Sequence, residues 1–445
     1  MYGNNAIYVI FVVEFYLFIM DIEALYQLYL QHPVISTDSR NCPPGSIFFA
    51  LKGDLFDGNQ FAEKALETAV YAIIDDQGVK TDDRMILTGN VLQTLQQLAR
   101  LHRKTLGIPL IGITGTNGKT TTKELLASVL STRFNTLFTI GNYNNHIGVP
   151  LTLLRLTDQH EIAVVEMGAN HPGEIAELAG IALPDYGIIT NVGYAHLEGF
   201  GSFEGVIRTK GELYDFLRKT NGTIFIDQDN EFLLPIAEDI NRITYGNNKR
   251  CYVSGEIIDC DPYLRFRWEY QNEMHVVSTK LVGGYNLSNL LAAITVGNYF
   301  SVTADSMNEA IANYVPQNNR SQLKKTDKNE LIIDAYNANP SSMQAALTNF
   351  SILKASPKTV ILGDMLELGV ESSFLHLEVI KQLEISNFDQ VILCGSVFCS
   401  IDHSYLCFQT VDQLCGYLKE AEIKGQYILI KGSHGIHLEK TIDFL

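Results

Sequence analysis

The chain has 445 residues, a formal net charge of −17 and 46% hydrophobic residues. That length bounds about two to four domains, each able to bury a core. The acidic balance, with no block of clustered Lys and Arg, excludes nucleic acid as the main partner. An anionic ligand would have to be held locally, by backbone amides and a few cations.

Residues 6–20, "AIYVIFVVEFYLFIM", are strongly apolar. They fall short of the roughly 20 residues of a membrane span, and no Lys or Arg precedes them as in a signal peptide. A helical start, "MDIEALYQLYLQHP", follows. This points to Met20 as the first residue and to 1–19 as an upstream or mis-started extension. A membrane-surface anchor is the competing reading. The seven cysteines are odd in number and form no C-x-x-C. Their spacing suits neither zinc nor a disulfide framework, and reads as reduced thiols in a cytoplasmic protein.

Three blocks follow. In residues 20–105, "SIFFAL" and "AVYAIID" read as buried strands and "NVLQTLQQLARLHR" as a helix. "KTLGIP" (104–109) reads as a linker. In 106–315, the apolar runs "LIGIT", "IAVVEM" and "YGIITNV" alternate with helical patterns, the signature of a parallel sheet with crossover helices. In 316–445, "LIIDAY", "TVILGDM", "QVILCG" and "YILIKGS" repeat it. These runs end in small or polar residues, where open α/β sheets hold their ligands. There are no tandem repeats.

Between the strand "PLIGIT" and the helix "TTKELLASVL" lies "GTNGKT" (115–120). A strand, a glycine turn and a helix N-terminus make an anion site, because free amides point at the phosphates. Gly115, Thr116, Asn117, Gly118, Lys119, Thr120 and Thr121 are therefore candidate ATP contacts. Lys119 supplies charge for the β/γ-phosphates and Thr120 a hydroxyl for Mg²⁺. The usual first glycine falls at Ile113, so the loop has a different shape. Glu166 ends an apolar strand, as a natural Mg²⁺ partner would. By residue type alone, His196 is a structural histidine and Lys210 a surface lysine.

The segments "GTNGKT", "MGANHPGEIAEL", "DAYNANPSSMQAAL" and "LGDMLELG" resemble the Mur ligases, ATP-dependent amino-acid and peptide ligases of peptidoglycan precursor synthesis. The resemblance runs from about Asp21 to the C-terminus. It implies an α/β fold in three domains: an N-terminal UDP-binding domain, a central P-loop ATPase domain and a C-terminal Rossmann-like ligase domain. It implies D-alanyl-D-alanine joined to UDP-N-acetylmuramoyl-tripeptide through an acyl phosphate, with ATP and two Mg²⁺ as cofactors. By the family pattern Thr120, Glu166 and His196 hold metal, and Lys210 does so when carbamylated. Asn289 reads the adenine, Arg320 reaches the phosphates and Asp334 binds ribose. Tyr336, Asn337 and Asn339 line the dipeptide site. Ser39, Arg40 and Lys52 lie near the uridine and diphosphate. Asn142, Asn144 and Asn145 meet the muramoyl or peptide part, although such a cluster is otherwise turn chemistry.

The chain departs from the family pattern at Tyr285 (usually His), Ala335 (Ser or Thr), His434 (Arg) and Asn59 (His). No role is assigned to His434, and His376 sits at a shared position. With three blocks supplying one site, the C-terminal block is expected to swing onto the central one when ligands bind. The alternatives are another Mur-type ligase, a folylpolyglutamate synthetase-like enzyme, a P-loop switch that ligates nothing, and a membrane-anchored scaffold. A monomer with no membrane span is expected.

Overall fold

The structure, a computed structural model, describes residues 20–317 and 320–445. The apolar stretch before Met20 lies outside the described residues. The first helix spans Ile22–Gln31 and buries Leu25, Tyr26 and Tyr29. The chain divides into two compact units. The first comprises residues 1–110, 137–167 and 177–183; the second comprises 111–136, 168–176 and 184–445.

In the first unit, β1 (Ile35–Ser36), β2 (Ile47–Phe49), β5 (Tyr71–Ile74) and β6 (Met85–Leu87) form a parallel sheet in the order β1-β2-β5-β6. Between β2 and β5, a hairpin pairs β3 (Lys52–Gly53) with β4 (Phe56–Asp57). Phe48, Ala72 and Ile74 anchor its core. The helix Val91–Leu106 is capped by Asn90 and ends at Gly107 in the left-handed region. It therefore takes in the first half of the segment read as a linker: Lys104, Thr105 and Leu106 still satisfy its amphipathic register, and only Gly107 breaks it.

The second unit holds two sheets. One contains β7 (Leu110–Thr114), β10 (Tyr186–Ile189), β11 (Thr223–Asp227) and β12 (Asn241–Gly246), all parallel. Beyond β12 come β13 (Val253–Cys260), β14 (Tyr263–Tyr270) and β15 (Glu273–Val282), an antiparallel extension. This extension was absent from the sequence reading, although "YLRFRWEY" alternates exposed and buried residues along β14. Such alternation marks a strand with one wet face. β8 (Thr136–Phe138) and β9 (Ile162–Glu166) belong to the same stretch of chain, β9 being fully buried.

The other sheet runs β16-β17-β21-β18-β19-β20, with β16 (Gln322–Lys325), β17 (Glu330–Asp334), β18 (Lys358–Gly363), β19 (Gln390–Cys394), β20 (Leu406–Phe408) and β21 (Tyr427–Lys431). Only β16 is antiparallel to its neighbour. Its strands are near-continuous apolar runs because both faces are covered. Ile332, Val360 and Leu429 enter one core and Leu331, Ile361 and Ile430 the other.

Cys399 and Cys407 form a disulfide, which corrects the expectation of wholly reduced thiols. Their Cα atoms lie 5.6 Å apart because β20 returns along the turn that follows β19. That approach is a tertiary event, invisible in an eight-residue spacing.

Candidate active site

The loop after β7 is built for close backbone approach. Gly115 has φ +140°, and a Cβ there would meet Thr190 Oγ1 at 2.0 Å. Gly118, at φ +78°, precedes the helix Lys119–Leu130, and a Cβ there would meet Asn289 Oδ1 at 2.6 Å. Only glycine suits both positions. Residues after β10 hold the loop from the side. Asn117 N donates to Asn191 Oδ1 (3.0 Å), Gly193 N to Thr116 Oγ1 (3.0 Å) and Thr190 Oγ1 to Asn117 O (2.6 Å). Lys119 Nζ donates to the carbonyls of Gly115 and Thr116 at 2.7 and 3.0 Å. Thr120 is buried on the helix's first turn, with Thr121 beside it. Thr190 and Asn191 were missed by the sequence reading. Their signal was a polar pair directly after a buried strand.

Asn289, expected to read adenine, is engaged beneath the loop. Thr122 Oγ1 donates to its Oδ1 (3.1 Å), and its Nδ2 donates to Asn286 (2.9 Å). Asn339 Nδ2 donates to Asn117 Oδ1 at 2.8 Å, so the segment "DAYNANPSSM" touches the tip of the phosphate loop. Asn339 also caps the helix Pro340–Ile352 in a reciprocal capping box with Ser342.

Lys210 is not a surface lysine. It lies on the helix Phe203–Lys219, is 2% exposed and donates to Ala169 O at 3.3 Å. Burial, and secondarily the Lys119 ammonium, push its amine well below the ordinary lysine value, against the pull of Glu174 and Glu212. Desolvation of this kind disfavours the ammonium form. His196, at φ +51°, holds its Nδ1 against Glu367 Oε2.

The C-terminal sheet delivers Asp334 at the end of β17 beside Lys431 at the end of β21, its register partner. The Lys431 ammonium is buried, 2.6 Å from Asp334 Oδ2, and also donates to Asn337 O (3.3 Å). Lys431 is a second residue the sequence reading missed. Arg320 stacks over the Tyr336 ring at 3.7 Å, and His434 packs against the same ring. Tyr336 therefore orients the guanidinium. Arg320 Nε is buried with no hydrogen-bond partner among the described residues. Such an orphaned donor fits an anionic ligand.

In the first unit, Glu166 ends β9 with 1% exposure and accepts from Asn144 Nδ2 at 2.8 Å. Asn145 Oδ1 accepts from the amides of Ile147 and Gly148. Two of the three asparagines thus serve the protein's own loop, while Asn142 is exposed. Arg40 lies outside the core, in a bidentate pair with Asp38, next to Ser39. Lys52 Nζ meets Asp75 Oδ1 at 2.9 Å. Burial of Asp75 works against its charge, yet Lys52, Asn59 and the Val91 amide together hold it below the usual carboxylate range. Asn59, which departs from the family's histidine, is 1% exposed and bridges Asp57 and Asp75.

Among the described residues no group of three or more His, Cys, Asp or Glu forms a metal cage, and no helix is long and apolar enough to cross a membrane. Taken unit by unit, Thr120 and His196 of the second offer a hydroxyl and an imidazole and Glu166 of the first a carboxylate, donor types that Mg²⁺ accepts; in nucleotide sites it binds few protein ligands.

Residues 113–297 match the Mur ligase middle domain and 319–434 the Mur ligase, glutamate ligase domain. The UDP-N-acetylmuramoyl-tripeptide–D-alanyl-D-alanine ligase of Bacillus subtilis is 35% identical over 92% of both chains. A crystal structure of MurF from Acinetobacter baumannii is 29% identical, covers 92% of both chains and superposes with a TM-score of 0.84. MurF ligase from Thermotoga maritima, solved with ADP, is 27% identical over 93% of this chain and 97% of that one, with a TM-score of 0.84. With its phosphate loop, its three larger sheets and matches over more than nine-tenths of its length, the chain belongs to the Mur ligase family.

Proposed function

We propose that this enzyme uses ATP to join D-alanyl-D-alanine to UDP-N-acetylmuramoyl-tripeptide, giving the pentapeptide precursor of peptidoglycan in the cytoplasm. The observation that carries the reading is the Asn339–Asn117 contact. It sets the segment expected to line the amine site against the loop expected to hold the phosphates. Similarity over more than nine-tenths of the chain to ligases of that name supports it. We read the domains as 20–105, 106–315 and 316–445, a division supported by the separate stretches of chain that supply the four-stranded and six-stranded sheets.

The chemistry proceeds in two displacements. The tripeptide carboxylate attacks the γ-phosphorus, an acyl–phosphate bond forms and ADP leaves. The dipeptide amine then attacks the acyl carbon, phosphate leaves and the amine loses a proton. Two anions must meet in the first step, so cations are the main requirement. Lys119 and Arg320 neutralise phosphate oxygens. Asp334, fixed by Lys431, receives the ribose hydroxyls. Thr120, Glu166, His196 and Lys210 as its carbamate would hold Mg²⁺, which supplies charge neutralisation and in-line alignment. Attack of the unprotonated Lys210 amine on CO₂ would form an N–C bond and release one proton, giving that carbamate; burial, which disfavours the ammonium, favours the reacting form. Asn144 orients Glu166. Ser39, Arg40, Lys52 and Asn142 are left for the nucleotide-sugar.

The test is phosphate release from ATP with UDP-MurNAc-tripeptide, with and without D-alanyl-D-alanine, using the lysine and the meso-diaminopimelate tripeptides in turn. Release that needs both substrates and yields pentapeptide is the expected result. Release with neither substrate, or only with a different amine, would overturn the assignment. Folylpolyglutamate synthase from Thermotoga maritima, at 12% identity, shares the fold alone.

A further inference from the structure

The segment "LGDMLELG" stands out in the sequence, and the reaction above leaves it without a task. In the structure it is a clamped arm. Asp364 is buried and its carboxylate accepts from the amides of Val397 (2.9 Å) and Phe398 (3.0 Å). Met365 N donates to His376 Nε2 at 2.9 Å, while His376 Nδ1 lies 2.7 Å from Ser372 O. A carbonyl can only accept, so His376 carries its proton on Nδ1 and is a neutral acceptor for the arm. Leu366 N donates to Ser433 Oγ (2.9 Å), and Ser433 N returns a bond to Asp364 O (3.2 Å). Met365 and Leu368 are both core residues, so the chain is pinned on either side of Glu367.

All this fixes the one exposed acid on the arm. Glu367 takes a left-handed backbone, φ +64°, and its carboxylate is in ion-pair contact with His196 Nδ1, a buried atom with no angle-satisfying hydrogen bond among the described residues; His196 is itself left-handed at φ +51°. A second tether runs from Glu198 N to Glu367 O (3.4 Å). Two non-glycine residues in that region, facing each other, mark a contact held by its surroundings. The Glu367 side chain is 55% exposed, so the clamp and not burial holds it.

We infer that Glu367 is the positioning residue for His196: it accepts the Nδ1 proton and leaves the Nε2 lone pair directed at a cation. The inference rests on the reading of His196 as a metal ligand. Metal-binding histidines donate their other ring N–H to a carboxylate or carbonyl, which fixes tautomer and orientation. Glu367 supplies that carboxylate from the C-terminal sheet to a histidine on the loop after β10. His376 and Asp364 act one step further out, by holding the arm.

The test uses the full chain, Mn²⁺ and a non-hydrolysable ATP analogue, with free Mn²⁺ counted by electron paramagnetic resonance. H196A defines the site that depends on this histidine. E367A should weaken that site about 10- to 100-fold, and E367Q, whose amide oxygen still accepts the proton, should recover most of the loss. Nitrogen-15 spectra of labelled histidine should show His196 protonated on Nδ1 in the wild type and shifted towards Nε2 in E367A. Wild-type Mn²⁺ affinity in E367A, or an Nε2 proton in the wild type, would overturn the inference. Wild-type Mn²⁺ binding in H196A would instead remove His196 from the cation site, and the inference with it.

Discussion

Two buried basic side chains show how environment, and not residue type, decides a role. Lys210 was legible only through the family resemblance, because a lysine on an amphipathic helix is normally solvated. Its burial follows from the turn of the Phe203–Lys219 helix against Phe200 and Ala169. K210M should therefore lose at least about 100-fold in ligation, in the range of other lost electrostatic contacts. It should melt no lower than the wild type, since an apolar chain replaces a desolvated amine. Retained activity would contradict a catalytic Lys210. His102 is the structural counterpart, in the first unit. Its Nε2 lies 2.9 Å from Leu156 O, and Tyr26 Oη lies 3.1 Å from Nδ1. Burial lowers its pKa, against the pull of the Leu156 carbonyl. A histidine held neutral in the fold binds fewer protons than in the unfolded chain. Stability is then intact above about pH 6.5, the unfolded value, and declines as pH falls towards the folded pKa. Melting temperatures between pH 8 and 5 should show that decline in the wild type and a flatter profile in H102Q. Parallel profiles would assign the acid sensitivity elsewhere.

At the scale of elements, what the sequence revealed followed period and punctuation. Buried parallel strands were legible because each is an unbroken apolar run closed by a polar or small residue, and the phosphate loop because its glycines are spaced for a turn. The antiparallel extension was not read, because alternation within a chain of parallel runs competes with helical periods. Lys431 and Glu367 were illegible for a different reason. Each acts through a partner far away in sequence, Asp334 and His196 respectively, and only strand register or a clamped loop brings them there. Asn339 shows one residue serving two elements. As N-cap of Pro340–Ile352 it accepts from Ser342 N at 2.9 Å, and its amide nitrogen reaches Asn117. N339A should cost about 1 kcal/mol through the cap. It should also raise the KM for ATP, because the loop tip loses its tether. N339S, which restores the cap alone, should regain stability but not the KM. Recovery of both by N339S would reduce Asn339 to a cap.

At the scale of the molecule, the order of the two displacements is set by charge. The tripeptide carboxylate is a poor electrophile until phosphorylation turns its oxygen into a leaving group, so the amine cannot react first. Lys119 and Arg320 act on phosphate oxygens, and nothing in their geometry requires the amine to be bound. Phosphoryl transfer should therefore run without D-alanyl-D-alanine, leaving an acyl phosphate that a small nucleophile can intercept. With ATP, UDP-MurNAc-tripeptide and hydroxylamine, the wild type should form the tripeptide hydroxamate together with ADP. Removal of divalent cations by EDTA should abolish it, and added Mg²⁺ should restore it. D-Alanyl-D-alanine should suppress the hydroxamate in proportion to the pentapeptide formed, because both amines draw on one intermediate. A hydroxamate that appears only when the dipeptide is present would mean that amine binding completes the phosphoryl-transfer site. The Asn339–Asn117 contact, which joins the two segments, would then be the first place to look for the coupling.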